Sequence, residues 1–314
     1  MKKLMFATAL SIMSLSQAHA EKIGVSMATF DDNYQTVMRA KIKEYAATKP
    51  GVEVQFEDAQ SDVSKQVDQI KNFAANKVDA VMVTLVDTSA AQALTDAASA
   101  AGVPLVFMNL LPNNLATLPD SETYVGANEI ESGTLGAFEA CKLLRAAGKS
   151  DGASGYIMIG DLAHAAAVQR TKDVKDIIAT DMCKFMKITD EQSAGWQRDK
   201  AQNLMTNWLT KGQKPDFVIA NNDEMAIGAI LSMQAAGIDM KDVIVVGVDA
   251  TKDALQAMKA GQLDVTVFQN GGAIGSTALD EAIKLAHKEK VPKLNYVPFE
   301  LVTPANMDNY TNKN

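Results

Sequence analysis

The 314 residues include 47% hydrophobic and 22% charged side chains, enough for substantial cores, and the length suits two domains better than one. A net charge of −8 opposes any partnership with nucleic acid, whose phosphates it would repel. Two cysteines, Cys141 and Cys183, are too few for a disulfide framework, and no segment beyond the first residues reaches membrane-spanning length without charges.

The chain begins with Lys2 and Lys3, an apolar stretch through Leu15, and "AHA" ending at Ala20. This is the three-part pattern of a secretory signal peptide over residues 1–20, cleaved after Ala20. The apolar part is too short for an ordinary membrane span. No Cys follows the cleavage point to carry a lipid anchor, so the mature chain is expected to be soluble and exported. Losing two lysines takes its charge from −8 to −10. In an oxidising compartment Cys141 and Cys183 are expected to pair, the alternative being two separate buried thiols.

Short β-rich apolar runs then alternate with helical segments. Strands are predicted at 22–27, 53–58, 80–85, 105–108 and 124–127, with helices at 35–48, 64–76 and 89–101 between them. Val63, Val67, Ile70 and Phe73 form one apolar stripe at helical spacing. "AAGVPLVFMN" ends a helix at Gly102 and restarts a strand after Pro104. The alternation begins again with strands at 155–159, 185–189, 217–220, 243–248 and 264–268, and helices at 165–180, 199–211, 224–236 and 253–260. Repeated βαβ units predict an α/β fold of two similar doubly wound parallel-sheet lobes, joined by short crossings near residues 127–128.

In such sheets ligands bind beyond the carboxyl ends of the strands. Those ends carry residues 29–34, 84–87, Asn109, Asn128, 160–161, 221–224, Asp249 and 269–270, mostly amides, hydroxyls and carboxylates. Facing strand ends would enclose a cleft with hydrogen-bonding chemistry suited to polyols. The same residue types cap helices, so each position has two readings. Other chemistry lacks support. There is no phosphate-binding G-x-x-x-x-G-K-[ST] loop, no G-x-G-x-x-G after the first strand and no G-x-S-x-G elbow. His164 and His287 stand far apart with no Cys partner, which makes no zinc site, and both are read as surface residues. The carboxylates in "NNDE" (221–224) adjoin at a helix start and point different ways, so no catalytic pair is expected. No cofactor or metal is implied.

"FVIANNDEMAIGAI", "VIVVGVDAT" and "VTVFQNGGAIG", with "VSMATFDDNYQTVMRAKIKEYA" and "TYVGANEIESGTLGAFEA", resemble the periplasmic monosaccharide-binding proteins related to ribose-binding protein. The resemblance covers nearly all the mature chain and leans toward the inositol and rhizopine binders. It implies the periplasmic binding protein type I fold: a first lobe of 21–127 plus 270–302, and a second of 128–269 plus 303–314. It also implies a site. Asp32 and Tyr34 match a polar contact and a stacking aromatic, and Gln35 replaces a second aromatic. Asn109 matches an acidic or amide contact, while Leu110 stands where the family often has Arg. Arg170 matches the arginine of the second lobe, Trp196 an aromatic that covers one sugar face, and Asn222, Asp249 and Gln269 three further polar contacts. Thr84 joins them from a strand end.

The chemistry of these residues fits a ring polyol. Asp32 and Asp249 accept from hydroxyls, Arg170 donates to two in a fork, and Asn222 and Gln269 do both. Tyr34 and Trp196 would sandwich the ring faces. Gln35 and Leu110 argue against simple ribose, and the acidic pair leaves room for an amino-cyclitol. Asp223 and Glu224 are read as serving the helix start, where negative charge is favoured. The expectation is therefore a monomeric periplasmic solute-binding protein, not an enzyme, that hinges shut on a sugar or cyclitol. It would deliver this to an inner-membrane ABC permease and also to a chemoreceptor. The alternatives are a sugar-sensing protein serving a chemoreceptor or signalling partner, and a secreted sugar-processing enzyme. A repressor of similar core would carry a helix-turn-helix where this chain has its leader.

Overall fold

A computed structural model describes residues 20–212 and 214–314; the signal segment expected at 1–20 lies outside them but for Ala20. In chain order the first lobe contains β1 (Glu21–Met27), α1 (Asn33–Ala46), β2 (Val52–Asp58), α2 (Val63–Ala75), β3 (Ala80–Val83), α3 (Ala91–Ala101), β4 (Leu105–Asn109) and β5 (Glu122–Gly126). The second contains α4 (Glu129–Ala146), β6 (Ala153–Ile159), α5 (Ala165–Ile178), β7 (Met186–Ser193), α6 (Arg198–Thr210), β8 (Phe217–Ala220), α7 (Asp223–Ala235), β9 (Ile244–Val246), α8 (Lys252–Lys259) and β10 (Thr266–Phe268). The chain then returns through α9 (Gly271–Ala286) and β11 (Leu294–Tyr296) and ends beyond β12 (Glu300–Val302).

The first sheet has the order β11-β5-β4-β3-β1-β2 with every pairing parallel. The second runs β7-β6-β8-β9, also parallel, and single bridges at Val246–Val265 and Asp249–Phe268 join β10 to its edge. Helices cover both faces, so the strands are apolar on both. Along β4, Leu105 and Phe107 pack toward Phe73 of α2 and Leu94 of α3. Val106 and Met108, pointing the other way, pack toward Met38 and Ile42 of α1 and Ile274 and Leu279 of α9. The second lobe repeats the device. Tyr156 and Met158 meet Met205 and Trp208 on one face, while Ile157 meets Ala137, Cys141 and Val174 on the other.

Each predicted strand and helix is present, with ends shifted by a few residues. The pattern missed α4, α9, β11 and β12. Half of the buried positions of α4 and α9 are Gly or Ala (Gly133, Gly136, Ala137 and Ala140; Gly271, Gly275, Ala278 and Ala282), which weakens their hydrophobic periodicity. The two strands have three residues each, too few to show alternation.

Three crossings connect the lobes. Two lie at 127–128 and 269–270. The third differs: β12 pairs antiparallel with β10, so residues 300–302 belong to the second lobe and the crossing lies at 297–299, not after 302. Ala127, Val248, Val267 and Phe299 pack together at the crossings. Cys141 of α4 and Cys183 beyond α5 form a disulfide, with Cα atoms 5.7 Å apart, inside the second lobe.

Candidate functional site

The carboxyl ends of the two sheets face each other across a cleft of about 940 Å³ that leads to an inner chamber of about 50 Å³. Asp32, Tyr34, Gln35, Asn109, Arg170, Trp196, Asn222, Asp249 and Gln269 all line the chamber, together with Leu110, His164 and Ala166. Thr84 does not. It is fully buried behind Gln35, where its hydroxyl donates to Gln35 Oε1 at 3.1 Å and accepts from Ala28 N at 2.8 Å. A threonine at that strand end orients a lining amide instead of meeting a ligand.

Three lining residues have a backbone in the left-handed region: Asn109 (φ 69°), Trp196 (φ 68°) and Asp249 (φ 118°). Non-glycine residues persist there only where the surroundings enforce it. Tyr124 Oη donates to Asn109 O at 2.8 Å, and Asn222 Nδ2 to Trp196 O at 3.3 Å. Asp249 N donates to Val267 O at 2.8 Å, and Asn314 Nδ2 to Asp249 O at 2.7 Å. The turn after Asp249 is held by Asp223. Its Oδ2 accepts from Thr251 N at 2.8 Å, and its Oδ1 from Thr266 Oγ1 at 2.7 Å. Asp223 is therefore a buried brace, more than a charge at a helix start. Glu224 likewise turns away from the helix end, accepting from Arg198 at 2.8 Å and from Asn33 Nδ2 of the opposite lobe at 2.9 Å.

The arginine fork is also committed elsewhere. Arg170 donates through Nε and Nη2 to the two oxygens of Glu129 (2.7 and 3.2 Å), and through Nη1 to Asn221 O at 2.7 Å. Nη2 also reaches Gln269 Oε1 at 3.4 Å. Of five N–H groups, one on Nη1 is left for the chamber. Burial works against the Arg170 charge, but Glu129, Asp249 and Tyr34 outweigh it and raise its pKa further. Gln269 is nearly spent, its Nε2 donating to Asn109 Oδ1 at 3.0 Å. Asn222 satisfies both readings open to it. Its Oδ1 caps α7 by accepting from Met225 N at 3.0 Å, and the residue still lines the chamber. Asp32 also combines the two, capping α1 through Oδ1.

Asp249 is different. It is buried, it lines the chamber, and no described residue donates a hydrogen bond to its carboxylate. Burial raises its pKa well above the usual value, and the negative charge of Asp223 raises it further against the pull of Arg170. Burial also raises Asp32, against the N–H it receives from Gln35, and takes Asp223 to about 7. The Tyr34 hydroxyl is buried without a partner among the described residues, and burial followed by the charge of Asp249 keeps it protonated. Arg170 and Glu129 neutralise each other, which leaves Asp249 and Asp32 as acidic groups of the chamber with no basic partner, their ionisation opposed by burial.

Residues that the sequence reading overlooked complete the arrangement. Glu129 has the signature of any acid in a first helical turn, so nothing local marks it as the partner of an arginine 41 residues away. His164, read as a surface residue, is partly buried. Trp196 Nε1 donates to its Nδ1 at 2.9 Å, and its Nε2 lies 3.0 Å from Val86 O in the other lobe. Gly160 makes room for the Trp196 ring: a Cβ there would stand 2.2 Å from it. Among the described residues no group of His, Cys, Asp and Glu side chains is arranged to hold a metal, and no helix is long and apolar enough to cross a membrane.

Known proteins share this architecture. The periplasmic binding protein domain family matches residues 23–290. A putative rhizopine-binding protein of Rhizobium meliloti is 48% identical over the full length of both chains. The ribose import binding protein of Bacillus subtilis is 31% identical over 90% of this chain and 87% of that one. In structure, an ABC transporter solute binding protein from Bacillus halodurans with bound myo-inositol superposes with a TM-score of 0.86 at 38% identity, covering 95% of this chain and 100% of the other. The Caulobacter myo-inositol binding protein bound to myo-inositol gives 0.80 at 28%, covering 92% and 95%.

Proposed function

The chain belongs to the periplasmic binding protein family, and from that premise we propose that it captures one cyclitol or sugar molecule between its lobes and presents it to an ABC importer. Family membership implies the periplasm as its place of work, and the relatives named above are binding proteins. Residues 1–20 would be removed on export. The closed form would dock on an inner-membrane permease, with a chemoreceptor as a second acceptor, and the protein would act as a monomer.

One observation carries this reading: the buried Asp249 carboxylate faces the chamber with no donor among the described residues. Left unpaired, such a group costs about 1–3 kcal/mol, so the cavity is complementary to a molecule that brings hydroxyl or ammonium donors. The unpartnered Tyr34 hydroxyl and the spare N–H of Arg170 add a donor–acceptor and a donor on neighbouring walls. Trp196 supplies an apolar face. A small polyol in a chamber of this size would replace a few ordered waters. One misplaced hydroxyl would cost about tenfold or more in affinity, which is how such a wall rejects epimers.

The charge balance narrows the class to a neutral or amine-bearing cyclitol over an anionic one. Asp31, Asp58, Asp87, Asp161 and Asp199 surround the mouth against Arg198, so the approach repels phosphates and uronates as the chamber does. Trp196 and Trp208 provide an intrinsic signal for titration with myo-inositol, an amino-cyclitol, ribose and an inositol phosphate. Saturable quenching by the first two, without product, is expected. Tight binding of the phosphate, or turnover of any of them, would overturn the proposal. Native mass spectrometry of freshly purified protein would identify a ligand carried from the cell.

A further inference from the structure

His164 occupies the N-cap of α5, where Ser, Thr, Asp or Asn would bond a free helix N–H; its ring makes no such bond. The imidazole turns into the cleft, where the Trp196 indole N–H meets Nδ1 at 2.9 Å and the Val86 carbonyl meets Nε2 at 3.0 Å. An indole N–H only donates and a carbonyl only accepts. The two partners therefore select one state of the ring: neutral, with its hydrogen on Nε2 and its lone pair on Nδ1. The planes of the His164 and Trp196 rings are inclined to each other by 22°, with centroids 6.0 Å apart.

The two contacts differ in kind. Trp196 belongs to the same lobe as His164 and covers the chamber, whereas Val86 follows β3 in the opposite lobe. Thr88 extends the same seam, its N and Oγ1 both donating to Ala163 O at 3.2 and 2.9 Å. The geometry points to His164 as a positioning residue and closure latch: its neutral ring seats Trp196 over the chamber and ties that cover to the opposite lobe, so that protonating the ring releases the closed form. This rests on the reading that the lobes close over a ligand.

A protonated ring has hydrogen on both nitrogens and meets the indole donor to donor, so the cover loses its anchor. The charged groups around the ring are Asp32 ahead of α1, Asp87 beside Val86, Asp161 on its own loop, and Arg170 beyond the Trp196 ring at 5.7 Å from its centroid.

His164→Gln keeps an acceptor and a donor on one planar group and cannot be protonated; His164→Leu removes both. Myo-inositol is titrated by tryptophan fluorescence between about pH 7.5 and pH 5. At the upper end the Gln variant should bind within about threefold of the parent, and the Leu variant at least about tenfold more weakly. At the lower end the parent should lose about tenfold or more relative to the Gln variant. Asp32 and Asp249 titrate in both proteins, so the ratio isolates the imidazole. A ratio that does not change with pH, or a Leu variant that binds like the parent, overturns the latch. The indole N–H resonance of Trp196, assigned by its loss in Trp196→Phe, supplies a readout that needs no ligand. It should move with pH in the parent and stay still in the Gln variant. If myo-inositol fails to bind at every pH, the ligand reading falls, and an indole resonance indifferent to pH removes the latch as well.

Discussion

Replacing Asp249 by Asn should weaken ligand binding and strengthen the fold. The carboxylate meets no donor among the described residues, and it is repelled by the buried Asp223 charge, which raises its pKa beyond the effect of burial. Each charge-assisted hydrogen bond to a ligand is worth about 1.5–3 kcal/mol, so weakening two of them costs at least about 2–3 kcal/mol, or roughly 30–150-fold in Kd. In the ligand-free protein the same change removes a buried charge. An unpaired buried charge is one of the features whose removal moves stability by about 1 kcal/mol or more, which corresponds to a rise of about 2 °C or more in Tm. The pH dependence has a definite sign. A carboxyl whose folded pKa is raised stabilises the protein fully below the unfolded value near 4, and the contribution is lost as pH rises through the folded pKa. The Tm advantage of Asp249→Asn should therefore be absent near pH 4 and largest above about pH 7, where Asp223 is also ionised. Calorimetry of both proteins without ligand, at about pH 4 and 7.5, measures it. Equal melting temperatures at both pH values, or undiminished affinity for the best-bound polyol, would refute the assignment of an unpaired, ligand-directed carboxylate.

Glu129→Gln leaves the Arg170 charge buried with half its fork unanswered. It should cost about 3–5 kcal/mol in urea unfolding, because breaking one side of a buried pair strands the other. Gly160→Ala places a Cβ 2.2 Å from the Trp196 ring and should displace the cover. Affinity should drop about tenfold or more while far-UV circular dichroism stays unchanged, and a variant that binds normally would show that the ring need not sit there. Replacing both Cys141 and Cys183 by Ser opens a link between residues 42 apart and should lower unfolding stability by about 4 kcal/mol in the chain-entropy estimate, with ligand specificity intact.

Much of the site was readable because strand ends and helix starts are local features. Asn222 sits where an apolar strand meets a helix, so "VIANNDEMAIG" announces both its element and its place at the cleft. The direction in which each polar atom points was not readable. Asn222 Oδ1 and Asp32 Oδ1 face their helix starts, Gln35 Oε1 faces Thr84, and the fork of Arg170 faces Glu129. The amides and the arginine given to a ligand by sequence reasoning are largely occupied by one another. Such pairings join residues up to 160 positions apart, as between Gln269 and Asn109, and no local pattern encodes them.

The order of apolar runs, helix stops and strand-end polar residues determined by itself a two-lobed α/β protein with its polar residues gathered at one end of each sheet. That information lies within a few residues of each position, where periodicity and capping act. Tertiary structure alone decided which acid stays unpaired, which histidine faces a tryptophan, and where the last crossing returns to the second lobe. Those outcomes depend on which neighbours close packing brings within hydrogen-bond distance, and in a buried cleft a partner's presence or absence sets whether a polar group braces the fold or waits for a ligand.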